Sequence, residues 1–251
     1  MTSKGDAIYV YGIVPADVQV EDDAQGIGGA PVEVIREGDI AALVSPIKTD
    51  QALGKPADLE AHAELLDGTA SVAPVLPLRF GAVMTDTKSV AQELLREHHD
   101  EFAEALNALE GQAEYVIKGR YDEKRFLSDL LDENDQARAL RDDIRAKSED
   151  ATRNSRIALG ELIANTVEVK RQADTQTVVD QLNDVARQVN VREPTHEWDA
   201  AHVALLAEVD REGDVQEVVD RLNEKGKGRI QLRLLGPLAP YDFVVASAPA
   251  S

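Results

Sequence analysis

Apolar positions along the chain fall into short runs separated by Gly, Pro and acidic residues, and the period of those runs changes as the chain advances. Residues 7–14 (AIYVYGIV) are β-branched and aromatic and stop at Pro15, which predicts a strand. Residues 15–31 carry Asp17, Glu21, Asp22 and Asp23 and close on Gly26, Gly28, Gly29 and Pro31, which reads as a loop. Residues 32–36 and 40–45 flank Glu37-Gly38-Asp39, the composition of a β-hairpin, and Pro46 ends the second strand. Beyond Gly54 and Pro56, Asp58 is placed to cap a helix in which Leu59, His62, Ala63 and Leu66 recur at spacings of three and four, ending near Gly68. Residues 75–80 (VLPLRF) are apolar, but Pro77 has no N–H for a ladder and predicts an edge or irregular strand. From Asp86 or Thr87, the stripe Val90, Leu94, Leu95, Phe102, Leu106 and Leu109 predicts a helix with Gly111 at its C′ position.

The texture changes near residue 112, where we place a domain boundary. Residues 114–121 (EYVIKGRY) read as a strand, and long polar helices follow over 130–173, with Leu140, Ile144, Ile157, Leu162 and Ile163 as sparse apolar positions and Gly160 as a weak breaker. Between Arg145 and Arg156 only Ala146 and Ala151 are apolar, so that stretch is exposed, turns, or meets a partner. A further helix is predicted over 177–189 from Val178, Leu182, Val185 and Val189. Residues 203–209 alternate as a strand does, 215–222 follow the helical period, and Ile230, Leu232 and Leu234 alternate with Arg229, Gln231 and Arg233. With 189–192 as a short additional strand, the order from 114 onward is that of the split βαβ, or ferredoxin-like, unit. The fold class expected is α+β in two domains: a mixed α+β domain over 1–112, a ferredoxin-like domain with a helical insertion over 113–235, and an extended tail over 236–251.

Charge narrows the partners. The chain carries 27 Lys+Arg against 47 Asp+Glu, a formal charge of -20. Such a field repels nucleic-acid phosphates and anionic lipid headgroups, so neither nucleic acid nor membrane is expected as a partner. Apolar runs such as 72–78 fall far short of the roughly 20 residues a bilayer span needs. The absence of Cys removes disulfides, thiolate metal sites and cysteine nucleophiles. The first residues lack the apolar stretch of a secretion signal, and we expect a cytoplasmic protein.

Candidate chemistry is sparse. His62, His98, His99, His196 and His202 show no metal-ligand spacing. His62 and His98 lie on apolar helix stripes and read as packed side chains, whereas His196 and His202 flank Trp198 as loop anchors. Gly26-Ile27-Gly28-Gly29 leads into a hairpin and not a helix, so it lacks the helix N-terminus that holds a pyrophosphate and reads as a flexible turn. Residues 225–229 (KGKGR) concentrate positive charge, the pattern of a solvated turn or an anion site. No nucleophile motif or phosphate-binding loop is present. We therefore expect no catalytic, cofactor or metal site and a protein that is not an enzyme.

Three segments in order, YVYGIV (9–14), VLPLRFG (75–81) and LGPLAPYDFV (235–244), resemble the gas vesicle protein F/L family. The resemblance extends over nearly the whole chain and is weakest over about 130–190. It implies two α+β domains, the second ferredoxin-like with an extended tail, and a non-enzymatic part in building gas vesicles, the structures that give cells buoyancy. The implied partners are the major hydrophobic shell protein and other accessory proteins of the vesicle. The alternative reading is a ferredoxin-like regulatory module that binds a small ligand. Of the tail, Tyr241 and Phe243 are expected to dock on the chain's own domain, and Pro77 and residues 237–240 to cover a sheet edge. Arg79 is expected either to order a domain interface or to belong to an interaction surface.

Overall fold

The computed structural model describes residues 6–21, 23–48 and 52–244. It is a mixed α+β chain that divides into two compact units, one from segments Met1–Tyr115, Leu206–Glu212 and Gly236–Ser251, the other from Val116–Leu205 and Gly213–Leu235.

In the first unit, β1 (Asp6–Pro15), β2 (Glu33–Glu37) and β3 (Ile40–Lys48) form the sheet, with helix α1 (Pro56–Ala70) after them. Two-residue strands β4 (Leu76–Pro77) and β5 (Val83–Met84) both pair with β1, giving the order β2-β3-β1-β4. Pro77 therefore stands at an edge, as its missing N–H requires. The β1–β3 register slips between Val10 and Gly12, leaving Tyr11 as the extra residue of a bulge. Before the slip Ile8 and Val10 share one face and Tyr9 and Tyr11 the other; after it Ile13 joins the first face and Val14 the second. Both faces are buried, which is why this strand is apolar at nearly every position. One face packs on Leu94, Phe102 and Leu106, the other on Leu66 and Ala70 of α1.

The stripe from Val90 to Leu109 is buried throughout, but it does not form a single α-helix. Asp86 caps the short α2 (Thr87–Ser89) by accepting from Ser89 N at 2.7 Å. The chain then widens into a π-helix over Val90–Arg96 and restarts as α3 (His99–Ala108). Gly111 takes φ +67°, the left-handed value expected past a helix end. Helix α1 also corrects the expected face. Asp58, His62, Leu66 and Ala70 point inward and Leu59 is 49% exposed. Polar Asp58 goes inside because its carboxylate accepts from the orphan N–H groups of Gly54 and Lys55 at 3.1 and 3.0 Å.

Strand β6 (Gln112–Tyr121) leads to α4 (Glu123–Glu133), α5 (Asp135–Ala146), the 30-residue α6 (Arg153–Leu182), β7 (Gln188–Val191), β8 (Asp199–Glu208), α7 (Glu212–Gly226) and β9 (Ile230–Leu238). The sheet order is β7-β8-β6-β9. Asp122 and Asn134 cap α4 and α5, accepting from Arg125 N and Ala137 N. The expected helix 177–189 is corrected, because α6 runs unbroken past 173–177 and stops at Leu182, with Val167, Val178 and Leu182 buried. Gly160 does not break it. Of the readings open for the stretch between Arg145 and Arg156, the structure shows a turn over residues 147–152, all but Thr152 exposed. The outer backbone of β9 is covered at Leu232, whose N–H donates to Asn223 Oδ1 at 2.8 Å while its carbonyl accepts from Asn223 Nδ2 at 3.0 Å. Among the described residues no helix is long and apolar enough to cross a membrane.

Candidate functional site beneath the C-terminal segment

The most developed polar constellation of the first unit lies on the tyrosine face of β1. Tyr9 is fully buried and its oxygen accepts from Gly81 N at 3.0 Å. The same oxygen lies 2.9 Å from His62 Nδ1, and His62 Nε2 lies 2.7 Å from Tyr241 Oη. Burial lowers the pKa of His62 against the raising effect of the Leu78 backbone, so the ring is held toward its neutral form, with one donor and one acceptor nitrogen. The pattern that satisfies every group is a chain: Gly81 N–H to Tyr9, Tyr9 O–H to Nδ1, Nε2–H to Tyr241. Burial pushes the Tyr9 phenol up to about 12 and raises that of Tyr241, keeping both protonated as the chain requires.

Neighbouring rings fix the imidazole in place. Tyr11 stacks on it with centroids 5.7 Å apart, and Phe80 meets it edge-on at 5.6 Å. Tyr11 is anchored in turn, accepting from Ile27 N at 2.8 Å and lying 2.8 Å from Ser45 Oγ. A Cβ on Gly26 would sit 2.0 Å from the Tyr11 oxygen, so that position admits only glycine. The glycine-rich loop expected to be a flexible turn is thus held as a short 3₁₀ turn over Ile27–Gly29 with Ile27 buried.

The C-terminal segment is tied down at successive residues. Asp67 Oδ1 accepts from Ala239 N and Glu114 Oε2 from Asp242 N, both at 2.9 Å. Phe243 and Val244 pack against the core cluster that holds Ile8, Leu78 and Phe102. Self-docking of Tyr241 and Phe243 is what the structure shows. All three segments that carried the family resemblance meet here: β1 through Tyr9, the 75–81 segment through Phe80 and Gly81, and the tail through Tyr241.

Comparison with known proteins spans all three segments. The family model described as gas vesicle synthesis protein GvpL/GvpF matches residues 7–245. The chain belongs to this family. It is 32% identical over 239 residues to gas vesicle protein F of a Streptomyces strain, covering 94% of this chain and 98% of that one. Among solved structures, gas vesicle protein GvpF from Anabaena superposes with a TM-score of 0.77 at 25% identity over 96% of this chain and 99% of that one. GvpF from Microcystis aeruginosa gives 0.73 at 27%, over 94% and 98%.

The other sequence-predicted positions of this family member are dispersed. His98 packs on Phe102 at 5.6 Å. His99 bridges Asp39 Oδ1 at 2.6 Å and Asp100 Oδ1 at 3.1 Å, and those two carboxylates raise its pKa. His196 Nδ1 accepts from Trp198 N at 3.1 Å. Among the described residues no group of three His, Asp or Glu could hold a metal. In the 225–229 turn Arg229 already faces a carboxylate, with NH1 and NH2 each 2.7 Å from Asp174. Tyr121 Oη donates to Asp174 Oδ2 at 2.7 Å, completing a triad that sequence inspection missed because its members lie 53 and 55 residues apart.

Arg79 is exposed in the 75–81 segment. We expect Arg79→Ala to leave the melting temperature within about 2 °C of wild type, since surface substitutions usually fall within about 0.5 kcal/mol. A clear drop in a thermal melt would return it to an ordering role. Tyr115 gives a second test. Its ring is fully buried and its hydroxyl has no hydrogen-bond partner. Removing an unsatisfied buried hydroxyl removes a desolvation cost of about 1–3 kcal/mol, so Tyr115→Phe is expected to hold or raise stability in urea unfolding. A loss above about 1 kcal/mol would mean that the hydroxyl has a partner.

Proposed function

We propose that this chain serves gas vesicle synthesis as a non-catalytic assembly factor that binds the major hydrophobic shell protein in the cytoplasm and supports its delivery to the growing vesicle. The observation that carries the reading is membership of the gas vesicle synthesis family over residues 7–245. A small subunit with a large apolar surface aggregates when free, and a partner of charge -20 that shields that surface keeps the pair soluble. The strand order β7-β8-β6-β9, read in chain order within that sheet as 2-3-1-4, supports a ferredoxin-like second domain in addition to the N-terminal one. The covered backbone at Leu232 favours β7, whose Val191 is 55% exposed, over β9 as an edge for pairing with another strand.

Co-expression with the shell protein tests this directly. The expected result is co-purification and more shell protein in the soluble fraction than without this chain. Failure to associate in a folded preparation would sink direct shell binding.

One observation favours the alternative of a small-ligand module. A cleft of about 360 Å³ opens between α6 and the β7–β8 connection, lined by Arg171, Thr175, Glu193 and His202 among others. His202 is 8% exposed; its Nδ1 lies 3.0 Å from Glu193 O, which makes it the donor, and its Nε2 has no partner. Saturable stabilisation by a metabolite, abolished in His202→Phe, would support this reading; a flat thermal-shift screen would leave shell binding as the account.

A further inference from the structure

The N-terminal half of α6 is only thinly covered. None of residues 153–166 is buried; Ala158, Leu159, Leu162 and Ile163 are half-buried on the side where α5 packs, while Arg153, Ile157, Gly160, Glu161, Ala164 and Glu168 are exposed on one face at spacings of about three and four. Ile157 is 51% exposed. Gly160 stands in the interior of a 30-residue helix, in its N-terminal half, where glycine weakens the helix relative to alanine, and a Cβ built there meets nothing within 4 Å. Among the described residues nothing requires glycine at this position, and the missing side chain leaves room for another helix to approach closely.

The charges on this face say which helix. Arg153 lies seven residues before Gly160 and Glu168 eight after it. An antiparallel copy of α6 crossing at Gly160 sets Arg153 of one chain against Glu168 of the other and Ile157 against Ala164, twice over, about a two-fold axis. A parallel copy sets Arg153 on Arg153. The Glu168 carboxylate accepts from Arg171 NH1 at 2.5 Å and Gln172 Nε2 at 3.0 Å, and a carboxylate has capacity for a further donor. Net charge points the same way. Residues 135–161 contain six Lys/Arg and six Asp/Glu, so this stretch is neutral in a chain of -20. Repulsion between two acidic copies is weakest where the local charge is zero and both signs alternate.

We infer that the exposed face of α6 around Ile157, Gly160 and Ala164 is a homodimer interface, occupied by the same helix of a second copy in antiparallel orientation. The contact is isologous and closed by two-fold symmetry, so it yields a dimer and not a filament.

Sedimentation of the full chain over a concentration series tests the inference. A reversible dimer is expected, with Gly160→Leu and Ile157→Glu each weakening it roughly tenfold or more. In dilute solution Gly160→Leu should melt no lower than wild type, which separates lost pairing from lost folding. Arg153→Glu and Glu168→Arg should each weaken the dimer, and the two together should restore it, because every new pair is again of opposite sign. A chain that stays monomeric up to roughly 1 mM, a dimer indifferent to Gly160→Leu, or a double variant no better than either single one overturns the inference. A monomer that loses shell-protein binding on Ile157→Glu overturns it too, and gives the face to the shell protein.

Discussion

Replacing His62 by Leu is expected to cost about 2–3 kcal/mol and to loosen the C-terminal segment. Leucine keeps most of the volume, so the loss comes from the hydrogen bonds. Tyr9 is fully buried and its hydroxyl proton would be left without an acceptor, a penalty of about 1–3 kcal/mol. Tyr241 is 39% exposed and re-solvates, so its share is smaller, but the bond joining residue 241 to α1 disappears. Urea unfolding gives the stability change, and amide exchange over 239–244 gives the loosening. A loss below about 1 kcal/mol with unchanged exchange would show that the tail is held by Asp67, Glu114 and the apolar packing of Phe243 alone.

The same residue predicts a pH dependence whose sign is fixed. Burial depresses the His62 pKa below its ordinary 6.5, so the unfolded chain takes up this proton more readily than the folded one. Its stability contribution is complete above about pH 6.5, falls as pH drops from there toward the depressed pKa, and levels off below it. Asp67 acts in the opposite direction and in a lower range. Its pKa is raised by burial above 3.8, so acidification through the carboxylate range favours the folded state at that site. His99, raised by Asp100 and Asp39, contributes stability below about 6.5 that is lost as pH rises through its folded pKa. The difference between wild type and His62→Gln isolates the first contribution, since glutamine retains a donor and an acceptor but does not titrate. Equal slopes for the two proteins between pH 5 and 7 would mean that the ring is protonated as readily folded as unfolded.

Elements whose signal lies in local periodicity were legible in the sequence: β1, the β2–β3 hairpin, the edge character given by Pro77, and the buried stripe from Val90 to Leu109. What was not legible depends on partners distant in the chain. Leu59 looks like a core position until Asp58 and His62 are seen to take the inward face, which polar groups can do because each meets a specific partner. The π-helical stretch and the restart at His99 are invisible to a fixed 3.6-residue period. Continuity of α6 through 173–177 was missed for a related reason. Its outward face is polar there, and its inward face is set by the sheet it covers. The Tyr9–His62–Tyr241 chain joins residues 53 and 179 positions apart, and the family motifs marked its ends without revealing the bond between them.

The triad of the second unit carries the other large effect. Asp174 is 18% and Arg229 29% exposed at the side chain, and the two make a bidentate pair with Tyr121 as third member. Burial first, then the bond to Asp174, raises the Tyr121 pKa, so the phenol remains a donor to the carboxylate. Removing one partner of a buried pair costs roughly 3–5 kcal/mol because the other charge stays desolvated; this pair is partly wet, and we expect Asp174→Leu to cost about 3 kcal/mol. The triple variant Asp174→Leu, Arg229→Met, Tyr121→Phe should recover most of that loss, since an apolar cluster of similar volume replaces an ion pair at little net cost. Chemical denaturation of both proteins decides the matter. If the triple variant is as unstable as the single one, the triad selects the packing of α6 on β6 and β9 and does more than neutralise a buried charge. The Asp174–Arg229 pair also bears on the basic turn at 225–229. With Arg229 paired to Asp174, added phosphate should leave the wild-type melting temperature unchanged, and a rise that vanishes in Arg229→Met would show that an anion displaces the carboxylate.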